Sequence, residues 1–154
     1  MALLLSGCGP RFDPLYVAAN GEGAPLIGLR DCPGAEPDYL LDVTLYAWDD
    51  DADPALGKVL WSAVAPTSGA RQHHVRLGST PPGYRTRVPL RTTLRPATTY
   101  ALRANTTQND LVEGTLTFRP EQLRPDQVVF DESKAEPRSA YEARNEEDFG
   151  CYAR

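Results

Sequence analysis

No apolar run in this chain of 154 residues approaches the roughly 20 residues that a membrane-spanning helix requires. Catalytic signatures are missing as well: there is no Gly-x-Ser-x-Gly elbow, no His-Glu-x-x-His and no phosphate-cradling glycine loop. The sequence therefore assigns no catalytic residue and calls for no cofactor, although a triad built from distant residues is not legible this way. Lysine is scarce, with Lys58 and Lys134 standing against 14 arginines, and Ile27 is the single isoleucine. That bias reads as codon usage and carries no physical weight. Aspartate and glutamate are absent from Pro54 to Asn109, a stretch that holds Lys58 and the arginines 71, 76, 85, 87, 91, 95 and 103. All 21 acidic residues lie in the flanks, and the net charge of −5 argues against a nucleic-acid partner.

What is present is a period of two, punctuated by 14 prolines and 12 glycines. Residues 15–19 and 25–30 flank Asn20-Gly21-Glu22-Gly23 as a hairpin or a broken first strand. Tyr39 to Trp48 is the clearest strand, with Leu41, Val43, Leu45 and Ala47 on one face and Asp42, Thr44 and Tyr46 on the other. Further strands are expected at 58–64, 72–77, 84–90, 98–105 and 111–118. About seven strands with no helix between them predict an all-β fold of antiparallel sheets packed face to face. Length suffices for one domain with its own core.

The segment Leu94-Arg95-Pro96-Ala97-Thr98-Thr99-Tyr100-Ala101-Leu102 resembles the corner that opens strand F in fibronectin type III and related immunoglobulin-like domains. The resemblance covers roughly residues 39–118 and implies a sandwich of that class. It places the Tyr100 hydroxyl on upstream backbone, strand B at 39–48, and strand C at 58–64 with Trp61 in the core. It implies nothing about function, because the architecture hosts many roles.

Beyond Phe118 the pattern changes. Residues 127–130 offer an edge strand, and Ser139-Ala140-Tyr141-Glu142 spells a capping box for a short helix running to Phe149 and ended by Gly150. The expected organisation is a sandwich over 15–118 followed by a C-terminal extension over 119–154.

Leu5-Ser6-Gly7-Cys8 resembles the lipobox of bacterial lipoproteins. The resemblance implies a signal remnant at 1–7, lipidation of Cys8, and a tether at 8–14. Acyl chains, at about 0.8 kcal/mol per buried methylene, would hold the protein to a membrane outside the cytoplasm. With Cys8 assigned to lipid, Cys32 and Cys151 remain as an even pair suited to a disulfide in an oxidising compartment; two free surface thiols are the alternative.

Four groups of side chains invite a functional reading. Arg85 and Arg87 are two apart on one strand, and Arg76 on a neighbouring strand is expected to join them in a patch for an anionic envelope polymer, a lipid headgroup or an acidic protein. Pairing of these arginines with acids of the C-terminal segment, such as Glu142, Glu146, Glu147 and Asp148, is the competing reading. Asp49, Asp50, Asp51 and Asp53 crowd one turn and are weak calcium candidates, since the glycine and terminal glutamate of a calcium loop are missing. His73 and His74, adjacent on a strand, should face opposite sides. Asn105-Thr106-Thr107 has the spelling of a glycosylation sequon, which means little in a bacterium. The expectation is a monomeric, membrane-anchored, non-catalytic binding or adaptor module of the bacterial cell envelope, or else an accessory subunit of a secretion, transport or wall-synthesis assembly.

Overall fold

The computed structural model describes residues 12–21, 23–34, 36–68, 71–107 and 115–149. Its strands form two five-stranded antiparallel sheets. The first contains β1 (Leu15–Ala18), β2 (Leu26–Leu29), β5 (His74–Arg76), β9 (Gln127–Phe130) and β10 (Lys134–Pro137), in the order β10-β9-β1-β2-β5. The second contains β3 (Leu40–Trp48), β4 (Leu56–Val64), β6 (Arg85–Val88), β7 (Tyr100–Thr106) and β8 (Leu116–Phe118), in the order β6-β4-β3-β7-β8. One helix, α1 (Arg138–Glu142), and short 3-10 turns at Pro120–Gln122 and Glu146–Phe149 complete the described elements.

Alternation within the strands sorts apolar side chains into two cores. Val17, Ile27, Val75 and Val129 of the first sheet meet Val43, Leu45, Trp61 and Leu102 of the second, and this inter-sheet core is sealed from solvent. The other face of the first sheet is apolar too: Tyr16, Ala18, Val128 and Phe130 join Phe12, Tyr141 and Phe149 in a second cluster. That explains why every residue of β1 is buried. Among the described residues the second sheet has no such cover, and its outward row along β3 reads Asp42, Thr44, Tyr46 and Trp48, all partly exposed.

Tyr100 and Trp61 sit where the sequence puts them. Trp61 is 0 % exposed, and the Tyr100 hydroxyl accepts a hydrogen bond at 2.9 Å from the backbone N–H of Arg95. A second tyrosine makes a similar return, which the sequence did not announce. The Tyr84 hydroxyl donates to the Leu40 carbonyl at 2.6 Å and accepts from the Gln72 N–H at 2.9 Å.

Several expectations are corrected. In the immunoglobulin arrangement the strands read as B and C lie in opposite sheets, whereas β3 and β4 are hairpin neighbours in one sheet, with Thr44 opposite Ser62 and Leu45 opposite Trp61. Residues 127–130 do not form an edge: β9 lies between β1 and β10, so part of the expected extension completes the first sheet. The strand count exceeds the expected seven because the 15–30 region contributes two separate strands and both β9 and β10 join from the tail. Within β3, an irregularity between Leu40 and Asp42 buries Leu40 and leaves Leu41 half-buried, reversing the assignment at that end. Ser139 caps nothing, since α1 begins after Pro137 and is only five residues long. A proline N-cap has no side-chain acceptor, and the following Glu146–Phe149 turn is held instead by ring packing. Gly150 lies outside the described residues.

Candidate functional site

Arg85 and Arg87 are exposed on β6, an edge strand of the second sheet that pairs only with β4. Arg76 is exposed on β5, the edge strand of the first sheet, which pairs with β2. The cross-strand pairing that was expected to unite the three does not occur, because consecutive strands β5 and β6 part to different sheets. Among the described residues the side chains of Arg85 and Arg87 form no ion pair. The ion pairs there lie elsewhere: Arg144 with Glu136 at 2.6 Å, Lys134 with Asp131 at 3.1 Å, Arg119 with Glu121 at 3.5 Å, and His73 with Asp31 at 3.5 Å.

The acidic turn after β3 is occupied with its own bonds. Asp50 accepts from the Trp48 indole N–H at 2.5 Å, and the Asp49 carboxylate accepts from the Asp51 N–H at 3.1 Å. No three His, Cys, Asp or Glu side chains among the described residues converge as a metal site. The histidines do not face opposite sides. His73 precedes β5 in a bend, so its ring lies 6.2 Å from that of His74 and 4.6 Å from that of Tyr39. His74 crosses Gly28 to meet Tyr16, and burial lowers its pKa, helped by His73 and opposed by Asp31.

Cys8 and Cys151 lie outside the described residues. Cys32 packs half-buried against the outer cluster of the first sheet and is not a free thiol.

The side-chain arrangement best suited to holding a ligand is on the outward face of the second sheet. Val43 and Leu45 point into the core, so Asp42, Thr44, Tyr46 and Trp48 project the other way at about 6.8 Å per step. Register sets their neighbours. Asp42 lies beside Asn105, whose amide donates to its carboxylate at 2.8 Å; Thr44 lies between Ser62, hydroxyl to hydroxyl at 3.2 Å, and the exposed Arg103; Tyr46 lies between Val59 and Ala101. In the Asp42 row, Val64 leads on to Arg85. Ala101 belongs to this face but is 0 % exposed, covered by its neighbours in the row, Tyr46 and Thr117. Neither Tyr46 nor Trp48 stacks on another ring or on a cation among the described residues. Sequence reasoning had placed Asp42, Thr44 and Tyr46 together on the non-core face. It missed that nothing described covers them, because the alternation alone does not tell a covered face from an open one.

No protein-family model, no curated protein and no solved structure matches the chain.

Proposed function

We propose that this chain is a lipid-anchored, extracytoplasmic binding or adaptor module of a bacterial envelope, without catalytic activity, whose acid-poor side holds an anionic polymer. The observation that carries the ligand class is the pair Arg85 and Arg87, exposed on one edge strand, without ion pairs among the described residues, in a stretch free of aspartate and glutamate. Two guanidinium groups without carboxylate partners favour a polyanion brought close, since beyond the Debye length of about 8 Å at physiological salt the attraction is screened. The anchor rests on Leu5-Ser6-Gly7-Cys8 and the export setting on Cys32 and Cys151, which remain as an even pair once Cys8 is given to lipid.

The decisive experiment expresses the chain with a complete export signal and fractionates the cells. Wild type should partition with membranes and into detergent, and Cys8→Ala should appear in the soluble fraction. Equal recovery of the two in the soluble fraction overturns the anchor. For the ligand, the soluble domain should bind an anionic polymer in a salt-sensitive way that Arg76, Arg85 and Arg87 together replaced by alanine weaken. Non-reducing mass mapping should recover Cys32 and Cys151 in one cross-linked peptide pair.

A further inference from the structure

The two sheets differ in what lies on their outer faces. Phe12, Tyr141 and Phe149 close the first sheet, while the second presents two unstacked aromatic rings, a line of paired polar groups and a cation with nothing described above them. From this asymmetry we infer that the outward face of the second sheet is a polysaccharide-binding platform, on which an extended acidic glycan strand lies along β3 from Trp48 to Asp42. The inference rests on the anionic-polymer reading above and names the chemistry of that polymer.

The side-chain inventory selects this occupant. Sugar rings present an apolar C–H face and a rim of hydroxyls that both donate and accept. Tyr46 and Trp48, two residues apart on one strand, give flat apolar surfaces for the former. Thr44 with Ser62, and Asp42 with Asn105, give the latter groups that donate and accept within one row. These polar pairs are already hydrogen-bonded to each other, so they are held in place before a ligand arrives and pay little ordering entropy on binding. Arg103, opposite Thr44 in register, and Arg85, in the row of Asp42, supply planar donors for the carboxylates of an acidic sugar. The other macromolecules that bind anionically fit less well. An extended peptide adds to an unpaired backbone edge, and β3 is paired on both sides. A planar lipid surface offers no sugar-ring faces for Tyr46 and Trp48 to stack on, and a nucleic acid would need far more positive charge than this face carries.

Affinity electrophoresis of the soluble domain in gels containing polygalacturonate, with dextran gels as the uncharged control, tests the inference. Wild type should be retarded by polygalacturonate, and Tyr46→Ala and Trp48→Ala should each lose about tenfold in apparent affinity while Tyr46→Phe retains it. Arg103→Gln should weaken retardation by polygalacturonate without lowering the melting temperature. Trp48 is the half-exposed one of the two tryptophans, so polygalacturonate should shift the fluorescence of wild type and not of Trp48→Phe. That titration reads the site even if an alanine variant folds poorly. Retardation that depends on Arg85 and Arg87 but is unchanged in Tyr46→Ala and Trp48→Ala overturns the platform and leaves the anionic-polymer reading standing. Salt-sensitive binding to phosphatidylglycerol vesicles with no retardation by polygalacturonate also overturns the glycan and keeps the polyanion. Loss of both kinds of binding removes both.

Discussion

Arg30 grips Tyr141 in two ways at once: its guanidinium donates to the Tyr141 carbonyl at 2.5 Å and lies 5.0 Å from the centre of the Tyr141 ring. The same group reaches the Arg144 carbonyl at 2.8 Å and lies 4.3 Å from the ring of Phe149. A five-residue helix has little stability of its own. The carbonyls of its last turn, Tyr141 and, at 3.4 Å, Glu142, accept from a cation just past β2, which also suits the negative end of the helix.

Arg30→Ala should therefore destabilise the protein by about 2 to 4 kcal/mol, the sum expected for charge-assisted hydrogen bonds and a partly desolvated cation–π contact. Arg30→Lys should recover less than half, because an ammonium cannot reach two carbonyls and lie flat between two rings. Urea unfolding of the three proteins measures this. Equal midpoints for wild type and Arg30→Ala would mean that the rings alone hold the segment.

Tyr84→Phe should cost more than Tyr100→Phe. The Tyr100 hydroxyl satisfies one partly buried N–H, that of Arg95, worth about 1 kcal/mol. By contrast, the Tyr84 hydroxyl satisfies a buried carbonyl and an N–H together, at Leu40 and Gln72, so its loss should cost about 2 to 3 kcal/mol. Trp61→Ala, which opens a cavity between the sheets, should exceed both at about 3 to 5 kcal/mol. Equilibrium denaturation ranks the three.

The contrast between Tyr100 and Tyr84 shows what the sequence could tell. Tyr100 follows a leucine and a proline at a local spacing, and its bond to Arg95 closes only five residues, so the motif carries the contact. Tyr84 bonds to Leu40 across 44 residues, and no local spacing encodes such a return. Sheet membership was hidden for the same reason. The periodicity of 74–76 and 85–88 marks both as strands, but which neighbour each pairs with depends on long-range packing, and that is where the expected pairing of the strand of Arg76 with that of Arg85 and Arg87 failed. Likewise the apolar pair Val128 and Phe130 reads as half of an ordinary edge strand until the outer cluster is seen to need it.

Acid should weaken the fold modestly through His74. Burial lowers its folded pKa below the usual histidine value near 6.5, so between the two values the unfolded chain binds more protons. Stability accordingly rises as pH increases through that window, is level above about 6.5, and is lost as pH falls below it. The groups around it are His73, whose positive form adds to the effect, Asp31, which opposes it, and Tyr16, whose phenol is kept neutral by its own burial. Because the His74 ring is desolvated only in part and stays open to solvent on β5, screening keeps the slope small. Melting temperatures from pH 5 to 8 should show the slope in wild type and a flatter profile in His74→Gln.

Gly28 is the position in the first sheet where a side chain has no room. A Cβ there would stand 2.5 Å from Cζ of Tyr16 and 2.6 Å from Cδ2 of His74, the residues opposite it on β1 and β5. The two obstacles differ in how far they can yield. His74 is exposed and can swing away, whereas the Tyr16 ring is fixed between Gly28 and Tyr141, 5.6 Å from the latter's ring centre. Gly28→Ala should therefore cost about 1 to 3 kcal/mol, the range for an overfilled site, even though alanine is otherwise the better strand residue. Adding His74→Ala should return only a minor part, and adding Tyr16→Leu should return more of the Gly28→Ala penalty, measured against Tyr16→Leu alone. A double-mutant cycle by urea unfolding separates these terms. If His74→Ala alone relieves the whole penalty, the Tyr16 ring is free to move and the outer cluster is looser than its ring contacts imply.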